Sequence, residues 1–161
     1  MQPLSSAGVP HRSSLYDARH LWARHSRRFS IVDTRAKILN RARAVEIARE
    51  LRNNGAPAKL VTGYFDVLLA EHAERLGEIA ADGAHKLMVA VLDPPDAILA
   101  PQARAELVAA LAVVDYVVLA GSVTPRDLLE EFNTSDIVHE EEADHRRTRG
   151  LIEHVQRRHD E

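Results

Sequence analysis

Residues 86–92, Lys-Leu-Met-Val-Ala-Val-Leu, follow one lysine with an unbroken apolar run of strand length. A strand with one wet face alternates polar and apolar side chains. This one does not, so both of its faces must be covered. That requirement points to a parallel sheet lying between two layers of helices. Lys59–Thr62 reads as a second buried strand, ended by Gly63, Tyr116–Leu119 as a third and Ser135–His139 as a fourth. Helical patterns alternate with them, and that order implies right-handed crossovers. The expected fold class is therefore α/β, a three-layer α-β-α, Rossmann-like domain with a parallel sheet. Ligands of such sheets bind at the carboxyl ends of the strands, so the loops to watch are 63–68, 93–99 and 120–124.

The helices have recognisable ends. Residues 40–53 place Val45, Ala48 and Leu51 on one face with Ile47 beside them, and Asn54-Gly55 stops the run before Pro57. Leu69, Ala73, Leu76 and Ala80 form a stripe over residues 69–81, closed by Asp82-Gly83. Pro101 suits the first turn of a helix over about 101–114. Its expected inner face is Ala103, Leu107, Ala110, Leu111 and Val114. Thr124 caps a helix that runs to Phe132, with Asp127 facing the free amides. The last helix, about 141–158, starts with Glu141, Glu142 and Asp144 and ends with Arg157 and Arg158, matching its dipole.

Charge divides the chain. Residues 1–58 carry 11 Lys/Arg against 4 Asp/Glu, a surplus of +7, and residues 59–161 carry the opposite surplus, −10. We read residues 1–35 as a basic, partly ordered arm with a short helix near Tyr16–Ser26, and residues 36–161 as the α/β domain. A basic arm beside an acidic body points to contact between protein surfaces, and a homodimer is the expected assembly. The arm carries no nucleic-acid-binding motif, so a nucleic acid is not the expected partner. Cysteine is absent, which removes disulfides, thiolate metal sites and cysteine nucleophiles. The longest apolar run, residues 107–120, is too short for a bilayer and contains Asp115. No secretory signal is visible in residues 1–30, so a soluble cytoplasmic protein with no membrane partner is expected.

The segment Thr62-Gly63-Tyr64-Phe65-Asp66-Val67-Leu68-Leu69-Ala70-Glu71-His72 resembles the first signature of cytidylyltransferase-like nucleotidyltransferases, T-x-G-x-F-D-x-L-H-x-G-H. Lys37-Ile38-Leu39, Lys86–Leu92 and the stretch from Arg104 through Val118 extend the resemblance over about residues 37–140. They are similar in particular to the adenylyltransferase domain of bifunctional ADP-heptose synthesis enzymes. The resemblance implies the nucleotidyltransferase fold. It also implies transfer of a nucleoside monophosphate from a magnesium-bound nucleoside triphosphate to a sugar phosphate or similar acceptor, with pyrophosphate released. The two histidines of H-x-G-H would donate to the phosphate oxygens in that chemistry. By the same resemblance, Thr62, Gly63, Tyr64, Phe65, Asp66, His72, Asp93 and Thr148 are the nucleotide-binding candidates. His72 is the catalytic candidate if the chain is active.

The departures oppose that chemistry. Leu69 stands where the first histidine belongs, and Glu71 replaces the glycine. Losing one donor to a developing oxyanion costs about 3–4 kcal/mol. A carboxylate about 5 Å from a phosphate adds about 3 kcal/mol of repulsion at an effective dielectric of 20. Together these approach about five decades in rate. The family's later I-S-S-T-x-x-I signature has only Thr148 and Ile152 at matching spacing, within Arg146-Arg147-Thr148-Arg149-Gly150-Leu151-Ile152.

Read without the family, Leu69 is a core residue, Asp66 caps the turn before the helix, and Gly63 serves close packing or a positive φ. The arginines are surface charge, and the run His139–His145 lacks zinc-ligand spacing and is a solvated acidic helix start. The expectation is a degenerate nucleotidyltransferase-like protein that keeps the fold as a binding or scaffolding unit with weak nucleotide affinity. An active divergent transferase and a nucleic-acid-associated protein that uses the basic arm are the alternatives.

Overall fold

The computed structural model describes residues 33–81, 86–134 and 137–160. The basic arm, its expected helix and the Asp82-Gly83 helix end fall outside these residues, apart from positions 33–35. Asp33 caps a 3-10 turn over Thr34–Lys37, and β1 (Ile38–Leu39) follows. Next come α1 (Arg41–Asn53), β2 (Lys59–Gly63), α2 (Ala70–Ala81), β3 (Leu87–Leu92) and α3 (Pro101–Ala109). The order closes with β4 (Tyr116–Gly121), α4 (Pro125–Phe132), β5 (Ile137–His139) and α5 (Glu141–His159). All strands are parallel in the order β1-β4-β3-β2-β5. The fifth strand, β1, is only two residues long and carries no periodicity that a sequence pattern can register.

Every residue of β3 is buried, as its apolar run requires. Leu87, Val89 and Val91 pack on one face with Leu76 and Ile79 of α2 and Ala105 and Val108 of α3. Met88, Ala90 and Leu92 pack on the other face with Ala44 of α1 and Leu128 and Phe132 of α4. Each fully buried Leu, Val or Met contributes roughly 1.5–3 kcal/mol, which makes β3 the axis of the domain.

Handedness explains the two layers. From β2 through β3 to β4 the chain steps toward the β1 edge, one strand at a time. From β1 to β2, and from β4 to β5, it jumps toward the opposite edge across two strands. Right-handed crossovers running in opposite directions put their helices on opposite faces. The neighbours β3 and β4 therefore send their loops to opposite sides. A crevice of about 420 Å³ opens there, lined by Tyr64, Asp93, Gly121, Ser122, Thr124 and Glu141 among others.

Helix α4 begins as expected. Thr124 Oγ1 accepts from Asp127 N at 3.2 Å, and Thr124 N donates back to Asp127 at 3.3 Å. Helix α3 differs from its expectation. It ends at Ala109 rather than near 114, and its buried residues are Arg104, Ala105, Val108 and Ala109, while Leu107 is exposed. The face is turned by about one residue, because an arginine lies inside and apolar patterning cannot register that. Among the described residues, no helix is long and apolar enough to cross a membrane.

Candidate functional site

Strand β2 ends at Gly63, and the next turn carries the chain into α2. That turn is bent tightly: Phe65 sits in the left-handed region at φ 48°, a conformation that a residue with a Cβ adopts at a cost. The bend aims the backbone amides of Tyr64 and Phe65 at one point. Both donate to the same oxygen, Asp144 Oδ2 of α5, at 2.9 and 3.1 Å. The other oxygen, Oδ1, lies 3.0 Å from His72 Nε2 and 3.2 Å from Arg147 Nη1. Leu69 N donates to His72 Nδ1 at 2.9 Å. This makes Nδ1 an acceptor, so Nε2 carries the proton and donates to Asp144.

Four donors thus converge on one carboxylate that is 1% exposed. The arrangement is an anion cradle, of the kind that successive amides form around phosphates, and here a side chain of the same protein fills it. Gly63 is required by packing rather than by φ. A Cβ at position 63 would lie 2.6 Å from Asp144 Oδ2 and 2.7 Å from the Phe65 ring. The Phe65 ring also covers the imidazole of His72, with centroids 5.8 Å apart.

A second set of charges surrounds the cradle. Arg147 reaches Glu71 at 3.5 Å and Glu140 at 3.4 Å. Glu140, nearly buried, also pairs with Arg75 at 2.8 Å, and its amide donates to Thr62 O at 2.8 Å. The hydrogen bond that Arg75 donates to Glu140, then the one it donates to Glu78, hold its guanidinium above its ordinary pKa. Glu71 approaches Arg147 while staying largely exposed to solvent. The other two arginines pair within α5, Arg146 with Glu142 and Arg149 with His145. Among the described residues, no group of three His, Cys, Asp or Glu side chains is placed to hold a metal.

The structure distributes the sequence candidates over three places. Gly63, Tyr64, Phe65 and His72 meet around Asp144. Thr62 is fully buried beside them, its hydroxyl 3.1 Å from His139 Nδ1. Asp66 and Thr148 line a pocket of about 250 Å³ with Tyr64, Pro94, Asp96 and Ile152. Asp93 lies in the crevice beside β4 and pairs with Arg104 at 2.7 Å.

Asp66 departs from its expected role as a helix cap. Its two oxygens accept the amides of Ile98 and Leu99 at 2.8 and 2.9 Å, tying the loop after β3 to the turn after β2. The buried Asp66 carboxylate thereby satisfies two loop amides that would otherwise need another acceptor. Leu69 precedes α2 and is half-buried, instead of opening the helix stripe.

Two residues in these networks escaped the sequence reading. Asp144 was hidden within an acidic helix start whose dipole already explained it. Arg104 lies in a stretch that carries the resemblance, and its charge gives no sign of burial. Its spacing from Ala105 and Val108, one and four residues on, was the available signal. No family model matches the chain, and no curated protein matches it.

Proposed function

We propose that this chain is a non-catalytic, nucleotidyltransferase-like protein that keeps the fold as a binding or scaffolding unit. The observation that carries this reading is the Asp144 carboxylate, seated against the amides of Tyr64 and Phe65 and against His72. By the resemblance, those groups would otherwise serve a phosphate. A resident carboxylate in that place repels a phosphate and engages the one histidine that remains of the signature. Leu69 and Glu71 act in the same direction, one by offering no donor and the other by adding a negative charge. What nucleotide affinity survives is weak, because the ligand has to displace a bonded group.

The test is direct. The chain incubated with each nucleoside triphosphate, magnesium and a panel of sugar phosphates is expected to release no pyrophosphate above background. Release that disappears in the His72→Ala variant would overturn the reading in favour of an active divergent transferase.

The same proposal includes a cytoplasmic homodimer joined through the basic arm. Support comes from the charge surplus of +7 over residues 1–58, opposite in sign to the −10 over the rest of the sequence. Deleting residues 1–35 is expected to halve the mass seen by light scattering. An unchanged mass would remove the arm from the interface.

A further inference from the structure

Among the described residues, two apolar clusters hold the sheet between its helices, and neither contains a side chain of α5. Asp144 is the single buried residue of that 19-residue helix. Residues 152–160 are all exposed, Ile152 and Val155 among them. Polar contacts hold α5: Asp144 in the cradle, Glu140 on Arg75 and on Thr62 O, and Arg147 on Glu71. Because no α5 side chain belongs to either cluster, the hydrophobic effect contributes little to holding the helix down. The main obstacle lies in the cradle. The Tyr64 and Phe65 amides and the His72 Nε2 proton lose their acceptor when Asp144 leaves, and buried donors without partners are unfavourable.

An anion that satisfies the same donors removes that obstacle. A tetrahedral oxyanion presents several acceptor oxygens and at least as much charge as a carboxylate, which is what converging amides recognise. The cradle has room for one anion. The space over Gly63 is already in contact with Asp144 Oδ2, and a second negative charge beside it is repelled.

We propose that α5 is a latch that a phosphate-type oxyanion releases, by taking the place of Asp144 on Tyr64, Phe65 and His72. The inference rests on reading the cradle as a phosphate site closed by the chain itself, and it adds an output: ligand binding becomes movement of a helix. Binding at the cradle and docking of α5 exclude each other.

The experiment uses the full chain, with inorganic phosphate as the probe and sodium chloride of equal ionic strength as the control for screening. Amide spectra report binding at Tyr64 and Phe65, and hydrogen exchange reports local opening of α5. In the unaltered chain, phosphate is expected to speed exchange over residues 143–151 while chloride does not. Asp144→Ala is expected to bind phosphate at least about tenfold more tightly, because nothing has to be displaced. The Asp144→Asn variant keeps the shape and one acceptor oxygen without the charge, and an intermediate affinity is expected.

Equal phosphate affinity in the unaltered chain and the variants overturns the proposal. So does binding that leaves α5 exchange unchanged, and so does an absence of binding in all three. If the alanine variant does not fold, the asparagine variant decides alone. Pyrophosphate release is a separate measurement, so a catalytic chain with a working latch overturns only the non-catalytic reading.

Discussion

Replacing Arg104 by alanine is expected to remove about 4 kcal/mol of stability, a large part of what a domain of this size holds. The side chain is wholly buried and is the largest so placed among the described residues. Its Nη1 donates to Tyr64 O at 2.9 Å and to Leu92 O, and its Nη2 donates to Asp93 at 2.7 Å. One guanidinium thus joins the carboxyl ends of β2 and β3. Truncation leaves a cavity and strips donors from two carbonyls at once. Arg104→Met separates the two contributions: it fills most of the volume but supplies no donor, so about half of the loss is expected to remain. Urea or guanidinium midpoints measure both. A wild-type midpoint for the alanine variant would mean that the carbonyls find water and that the network is dispensable.

The second large effect is expected at Gly63. Gly63→Ala places a methyl 2.6 Å from Asp144 Oδ2 and 2.7 Å from a ring carbon of Phe65. Neither neighbour is a loose surface group, since both are about 1% exposed. Overpacking of this kind costs about 1–3 kcal/mol, and here it falls on the seat of α5. The double variant with Asp144→Ala relieves the carboxylate clash but not the clash with the ring. The two changes are therefore expected to be less than additive, with a coupling of about 1 kcal/mol. Additive losses in a denaturation cycle would show that Asp144 does not rest on Gly63.

These two positions also show where the sequence was legible. The β3 run announced its own burial, and with it the two helix layers. Thr124 and Asp127 announced the start of α4, and Gly63 announced a close approach without naming what approaches. Local pattern could not supply the partners. Asp144 acts on a turn some eighty residues earlier, and its neighbours Glu140, Glu141 and Glu142 gave its charge a sufficient local explanation. Arg104 is an inward-facing cation on a helix whose apolar stripe was counted without it, and that omission turned the expected face. Asp66 looked like a cap because its nearest amides in sequence were those of a helix, whereas its actual partners, Ile98 and Leu99, come from the loop after β3. Most site candidates lie in one contiguous segment, with Asp93 and Thr148 apart, but their grouping into a closed cradle, a pocket and a crevice required the fold.

Helix α5 is docked only along its first half. A helix of 19 residues is about 28 Å long, and its exposed final residues extend its line past the last contact. Geometry then gives it leverage. A tilt of about 10° around position 144 carries His159, about 22 Å away along the helix, through about 4 Å, whereas the cradle shifts by far less. Position 144 is the fulcrum and His159 the pointer, so a change the size of one carboxylate at one end is read as a change the width of a side chain at the other.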